Sequence, residues 1–466
     1  MDTRCGGPGL AARAVRAVVR CRPEYNLSSA VSLHDSAALD NRATAAGSHS
    51  GGRPHLDGAG RGRSACLSSL PPAPLRLGIG STGLIVIPHC FVTEMELECS
   101  VQSYAWGKVG SSSEVARLAT RACSQFNLAE TQPYAELWMG THPNGPARLA
   151  GTGELLSVHL ASNPDQLGER VVERFGQQLP YLFKVLSVNK ALSIQAHPNK
   201  QHAEQLHAER PDVYKDPNHK PEIAVALTEF EGLCGFRPLQ EIQAFLTDVP
   251  ELRTVVGEAE ATAVCSADQG NYSNALQDAF SGLMRCEVGL LQTELAGLAV
   301  RLAGDTAPSS RLLARLHSQF PGDVGCFVLY FLNHLTLQPG EAMFLGPNVP
   351  HAYLAGDCVE LMANSDNVVR AGLTPKLIDV ATLVEMLDYT CSPAATRKFP
   401  PSGEQGGGQA KLEFSPPVPD FAVTRWRVEG EAESCRLETR DSASLVLVTQ
   451  GSGNFLASHQ VIAGAI

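Results

Sequence analysis

The stretch Ser193-Ile194-Gln195-Ala196-His197-Pro198-Asn199-Lys200 sets an amide oxygen and an imidazole two residues apart. On a strand, residues i and i+2 share a face. The apolar, β-rich run Leu179–Val188 precedes the stretch, and Pro198 closes it. Gln195 and His197 would then offer two neutral donors on one side of a sheet, which is half of a metal site. The plainer reading is a polar strand end carrying a solvated histidine, and the pair alone favours that reading.

Further candidates lie downstream. In Asn218-His219-Lys220-Pro221-Glu222-Ile223-Ala224-Val225-Ala226-Leu227, a carboxylate heads an apolar strand. Burying it is costly unless it is paired or bound to a cation; a solvated strand end is the alternative. Lys220 falls on the same face if the strand extends back through Pro221. Val349-Pro350-His351-Ala352-Tyr353 offers another histidine on a strand after a proline, and Gly356–Met362 sets Glu360 in apolar surroundings. These two segments read as adjacent short strands joined by a tight Gly356-Asp357 turn, which could bring His351 and Glu360 together. Asn364–Lys376 leads into an expected helix over Leu377–Leu387, with Thr374 as N-cap and Pro375 at the first helical position. A helix N-terminus beside Arg370 and Lys376 would suit an anion such as a phosphate. His142, before Pro143, reads as a surface histidine rather than a ligand.

The elements that must position these residues are mostly short strands. Val101–Gly107 and Tyr134–Pro143 are aromatic-rich and strand-like, and Ser111-Ser112-Ser113-Glu114 fits a capping box before a helix over Val115–Cys123. Asn163–Phe175 reads as a helix. Between Pro238 and Phe320 the apolar period becomes helical, with helices expected over Leu239–Val249, Leu290–Leu302 and Ser310–Phe320. The leucine stripe there reads as core. Strand character returns at Gly325–Leu332 and continues through a strand, turn and strand at Leu335–Leu345. Repeated short strands with Pro-Gly turns point to a jelly roll or cupin.

Length and composition set the outer limits. A chain of 466 residues exceeds one core, so two to four domains are expected. The net charge of -11 argues against a nucleic-acid binder, although local basic residues leave an anionic substrate open. The 13 cysteines form no CxxC or CxC pair, which reads as reduced thiols of a cytoplasmic protein. No stretch is long enough to span a bilayer; Leu84–Val92 is apolar but short. Residues 1–94 contain no lysine and are rich in Gly, Ala, Ser and Pro, so they read as a disordered extension. Ala11–Arg22 could pass as an arginine-rich transit segment. The favoured alternative is upstream sequence outside the fold, with the functional chain starting near Met95.

Taken together, Tyr-Ala-Trp-Gly at 104, Ser-Ile-Gln-Ala-His-Pro-Asn-Lys at 193, His-Lys-Pro-Glu at 219, Val-Pro-His-Ala-Tyr at 349 and Val-Arg-Ala-Gly-Leu-Thr-Pro-Lys at 369 resemble the type I mannose-6-phosphate isomerase family. The resemblance runs from about Leu97 to about Gly451. It implies a mainly β fold with inserted α: a zinc-binding cupin catalytic domain over 95–237 and 325–385, a helical subdomain over 238–324, and a second C-terminal jelly roll over 386–466. It further implies interconversion of mannose 6-phosphate and fructose 6-phosphate, which supplies GDP-mannose synthesis and glycosylation.

The family's zinc ligands fall on Gln195, His197, Glu222 and His351, for one Zn²⁺ per chain. Its active-site arginine falls on Arg370. Lys220, Glu360 and Tyr353 match residues lining its active site, and Trp106, Ser193 and Lys376 join Tyr353 as expected substrate contacts. These nitrogen and oxygen donors suit zinc without a thiolate. One carboxylate against Zn²⁺ leaves a net positive charge that can stabilise an enediolate. Glu360 and Lys220 are the candidates for moving the proton between C1 and C2, with His219 as an alternative shuttle. The expected partners are a small sugar phosphate, with neither nucleic acid nor membrane, and the expected state is a monomer. The sequence departs from the family pattern over residues 1–94 and again after Gly451, where further strands of the second jelly roll are expected. An incomplete C-terminal domain leaves a second possibility, a zinc- or sugar-phosphate-binding cupin without turnover.

Overall fold

Strands rich in β-branched and aromatic residues alternate with Gly and Pro turns on both sides of a leucine-rich helical block, and the architecture follows that division. The computed structural model describes residues 17–21, 93–403, 405–406, 409–428 and 440–451. Residues Glu24–Cys90 lie outside the described residues.

The main sheet runs, in spatial order, Lys398–Phe399, Ala342–Leu345, Glu222–Ala226, His351–Ala363, Tyr181–Val188, Glu136–Met139 and Ser100–Gln102, all antiparallel. Phe230–Phe236 and Leu332–Leu337 pair off this path, as do Ile194–Ala196 and Val369–Gly372. The strand His351–Ala363 joins the two sets. Its residues from Gly356 onward pair with Tyr181–Val188, whereas His351–Ala355 pair with Phe230–Phe236 and, at Gln195, with Ile194–Ala196. Two groups of strands sharing one bent member make the cupin-type arrangement.

Helices fill the block between Leu239 and Gln319: Leu239–Asp248, Pro250–Val256, Glu258–Ser266, Tyr272–Met284, Val288–Arg301 and Pro308–Gln319. Their buried faces, including Leu246, Phe280, Leu295 and Leu316, share one core with Leu233, Phe236, Leu332 and Val369 of the strands. The helices therefore brace the strands that carry the candidate site. At the C-terminal end Gln405–Gly406, Gln409–Phe414 and Val423–Val428 form a three-stranded sheet.

Four expectations change. Gly325–Val328 is helical, with the strand starting only at Leu332; the whole run is buried, and a fully buried apolar run carries no period to separate helix from strand. Asn163–Phe175 is broken at Gly168, whose φ of 89° interrupts a 3-10 turn over Pro164–Leu167 before the helix Glu169–Phe175. The helix expected from Thr374 starts at Val380, because Asp379 caps it by accepting from the Thr382 N–H and hydroxyl. The helix N-terminal anion site at Thr374 is therefore absent. His351 and Glu360 lie on one continuous strand, bent at Gly356, rather than on two strands of a hairpin.

Disorder over residues 1–94 does not hold for Ala17–Cys21, a strand between Thr93–Leu97 and Ser444–Leu447. The rest of that extension to Val92, the apolar run Leu84–Val92 and the divergent tail Ser452–Ile466 lie outside the described residues. No helix among the described residues is long and apolar enough to cross a membrane.

The bend at Gly356 has a φ of 109°, and a Cβ there would lie 2.3 Å from the Glu229 carbonyl oxygen. Gly356→Ala should therefore destabilise the protein by about 2 kcal/mol or more, read by urea unfolding. An unchanged midpoint would show that the bend tolerates a side chain.

Candidate metal centre

The apolar strand Glu222–Ala226 is buried along its whole length, and Glu222 at its head is 2% exposed. Two histidines meet it from neighbouring segments. His197 Nε2 is 3.4 Å from Glu222 Oε1, and His351 Nε2 is 3.3 Å from Glu222 Oε2. Ligand atoms of all three lie within 4.8 Å of one another. Each imidazole is oriented from behind by a backbone carbonyl: His197 Nδ1 donates to Asn367 at 2.6 Å and His351 Nδ1 to Val349 at 2.8 Å. With the proton assigned to Nδ1, both Nε2 lone pairs face inward as metal ligands do.

Both Nε2 atoms and Glu222 Oε2 are buried with no hydrogen-bond partner. Buried polar atoms are ordinarily satisfied, so three orphans aimed at one point fit a bound cation. Nitrogen and oxygen donors without thiolate suit zinc among the common metals. Gln195 stands on the adjoining strand, in register with both His351 and Arg370.

The electrostatics support the same geometry. Burial pushes the His197 imidazole down to about 4, so it stays neutral at ordinary pH. Burial also raises the Glu222 carboxyl, but Lys220 and the two histidines outweigh it and hold the group well below the usual carboxylate range. Lys220 Nζ is 3.1 Å from Glu222 Oε1.

Beside the centre lies a second buried group. The Glu360 carboxyl accepts from the Tyr353 hydroxyl at 2.8 Å and pairs with Lys184 at 3.1 Å. Burial, with Glu222 adding, raises its pKa against the opposing pull of Lys184. Lys184 also pairs with Glu136 at 3.5 Å and lies over the Trp138 ring. Arg370 is half-buried, makes no side-chain ion pair among the described residues, and has its pKa lowered by burial alone. The structure thus brings together His197, Glu222, His351, Lys220, Glu360 and Tyr353, with Arg370 and Gln195 on the neighbouring strand pair.

Other candidates are placed differently. Ser193 Oγ is 3.4 Å from Gln195 Oε1, and Trp106 packs against the buried cluster that includes Tyr353. Lys376 is exposed, with no contact to this group among the described residues. His219, weighed as a shuttle, is held by Asp420 at 3.1 Å. His142, read as a surface residue, is 7% exposed, packs edge-on against Trp138 and pairs with Asp366 at 3.3 Å. Sequence reasoning missed Lys184, although a lone charge in the apolar run Tyr181–Val188 is the same signal that marked Glu222.

Comparison with known proteins adds an independent line. Residues 95–239 match the family described as phosphomannose isomerase type I, catalytic domain, and residues 254–332 match its helical insertion domain. The chain is 51% identical over 369 residues to the Bos taurus mannose-6-phosphate isomerase, covering 76% of this chain and 87% of that one. It is 44% identical over 371 residues to the Schizosaccharomyces pombe protein of the same name, covering 77% and 89%. A zinc-bound mannose 6-phosphate isomerase structure superposes with a TM-score of 0.60 at 36% identity, covering 70% of this chain and 82% of that chain. A phosphomannose isomerase variant from Salmonella typhimurium gives 0.61 at 36% identity, covering 71% and 82%.

The pKa directions set the pH response of the metal-free protein. With His197 depressed from 6.5 to about 4, the unfolded chain takes up a proton in that window that the folded chain does not. Stability therefore falls on acidification through it, and the depressed Glu222 acts in the same sense below its ordinary 4.5. The expected His197 contribution is on the order of 2–3 kcal/mol, read by urea unfolding in chelator between about pH 7 and about pH 4.5. His197→Asn should flatten that slope; an unaltered slope would assign the acid loss elsewhere.

Proposed function

The chain belongs to the type I mannose-6-phosphate isomerase family, and on that premise we propose that it interconverts mannose 6-phosphate and fructose 6-phosphate with one zinc ion per chain. The observation that carries the reading is the set of orphaned ligand atoms on His197, Glu222 and His351. Those three residues hold the metal, and Gln195 is the fourth donor. When bound, zinc supplies a Lewis acid that polarises the sugar oxygens and offsets negative charge developing on them.

The rest of the chemistry belongs to the chain's own residues. Aldose–ketose exchange moves a proton between C2 and C1 through an enediolate, with no net oxidation. Glu360 is assigned as the base. Its burial keeps its basicity above that of an ordinary carboxylate, and Lys184 keeps the ionised form accessible. Lys220 is assigned to the proton exchange at the sugar oxygens, beside Glu222. Arg370, a half-buried cation without a side-chain ion pair among the described residues, is assigned to substrate negative charge. Tyr353 orients Glu360 through its hydroxyl and forms part of the sugar pocket with Trp106 and Ser193.

The enzyme supplies mannose 6-phosphate toward GDP-mannose, works in the cytoplasm, and acts as a monomer. Free thiols at every described cysteine side chain fit a reducing compartment.

The test is a coupled assay from mannose 6-phosphate to fructose 6-phosphate, on the full chain and on a chain beginning at Met95, with and without chelator. Turnover that chelator removes and zinc restores is expected of both. Glu360→Gln should keep zinc and lose about 10²–10⁴-fold in kcat. A soluble, zinc-loaded parent without turnover would leave a binding protein in place of an isomerase.

A further inference from the structure

Asn367 is 1% exposed and lies between the segments that carry the candidate ligands. Its backbone carbonyl accepts from His197 Nδ1 at 2.6 Å. Its side-chain Nδ2 donates to the carbonyls of Asp216 at 2.6 Å and Asn218 at 2.9 Å, just upstream of Lys220 and Glu222. Its own N–H donates to Ser365 Oγ at 3.1 Å, and that hydroxyl donates to the Asn218 carbonyl at 3.1 Å. One residue thus ties the imidazole of one ligand to the backbone leading into another, 25 positions apart in sequence (197 to 222). Arg370 follows three residues later, in register with Gln195. The amide oxygen of Asn367 has no hydrogen-bond partner. The Nδ2 donations, which include a longer one to Asp216 Oδ1 at 3.4 Å, are therefore what the side chain contributes.

We propose that Asn367 is a positioning residue of the metal centre: its buried amide fixes the spacing between His197 and the Lys220–Glu222 segment. The physical reason is rigidity. A metal site would need its donors held to about 0.5 Å, and neither the three-residue strand around Gln195 nor the 216–221 loop can do that alone. Hydrogen-bond donors to two carbonyls of that loop, from the residue that also orients His197, remove the freedom of one segment relative to the other. An aspartate of the same shape cannot donate, and it would face the same two carbonyls with a negative charge. This inference rests on the reading that His197 and Glu222 hold zinc.

The test compares zinc affinity of the full chain with that of N367A, N367D and N333A by competition with a chromogenic chelator. Unfolding stability and kcat are measured alongside. Asn333 is an equally buried amide, with Nδ2 donating to the carbonyls of Phe236 at 2.9 Å and Ser392 at 3.0 Å, and so reports the cost of losing any such clamp. The zinc Kd should rise about 10–100-fold in N367A and N367D but stay within about twofold of the parent in N333A, although N333A loses stability. The near-isosteric N367D carries the test if N367A is insoluble. A zinc Kd within about twofold of the parent in the Asn367 variants, or an equal rise in N333A, overturns the proposal. A parent that binds no zinc removes the metal reading itself, a result distinct from a zinc-binding parent with unaffected variants.

Discussion

The buried carboxylate of Glu222, set against two imidazoles and one ammonium, is the constraint on which the rest of this structure depends. An isolated carboxylate in such a place would cost several kcal/mol and would protonate instead. Lys220 offsets part of that cost, and the two imidazole Nε2 atoms are aimed at the same point. A cation at that point would satisfy the three orphaned ligand atoms of His197, Glu222 and His351 at once. The carbonyls of Asn367 and Val349, the bend at Gly356 and the packing of the helical block all serve to hold three donors within one ion's reach.

That geometry also divides the labour between two carboxylates about as buried as each other. Glu222 is held ionised by its cationic and imidazole neighbours, whereas Glu360 is left with a raised pKa between Lys184 and Tyr353. One is suited to bind a metal and the other to take up and return a proton. Environment alone separates them, since both are glutamates on strands of the same sheet.

The motifs were legible because their chemistry is local in sequence. An acid heading an apolar strand, a histidine two residues from an amide, and a histidine following a proline each stood out, and the helical block announced itself by its leucine period. Where local signal fails, the reasons are specific. Gly325–Val328 is buried on all sides and has no period to read. His142 looked solvated because nothing near it in sequence shows Trp138 folding against it or Asp366 arriving from more than 200 residues away. The helix start moved from Thr374 to Val380 because the Asp379 cap is reinforced by Arg210 and Tyr214, partners that only the fold supplies.

By itself, then, the sequence determined the donor types, the order of the motifs and the alternation of strand and helix, since these depend on residue identity and on spacings of a few positions. Only the tertiary structure decided which donors meet. His197, Glu222 and His351 converge because a single strand, bent at Gly356, pairs with both sets of strands. Lys184 and Asn367 reach them through contacts between segments that sequence spacing does not encode. Convergence of that kind depends on strand register and on backbone hydrogen bonds across long loops, and it exists only once the chain has folded.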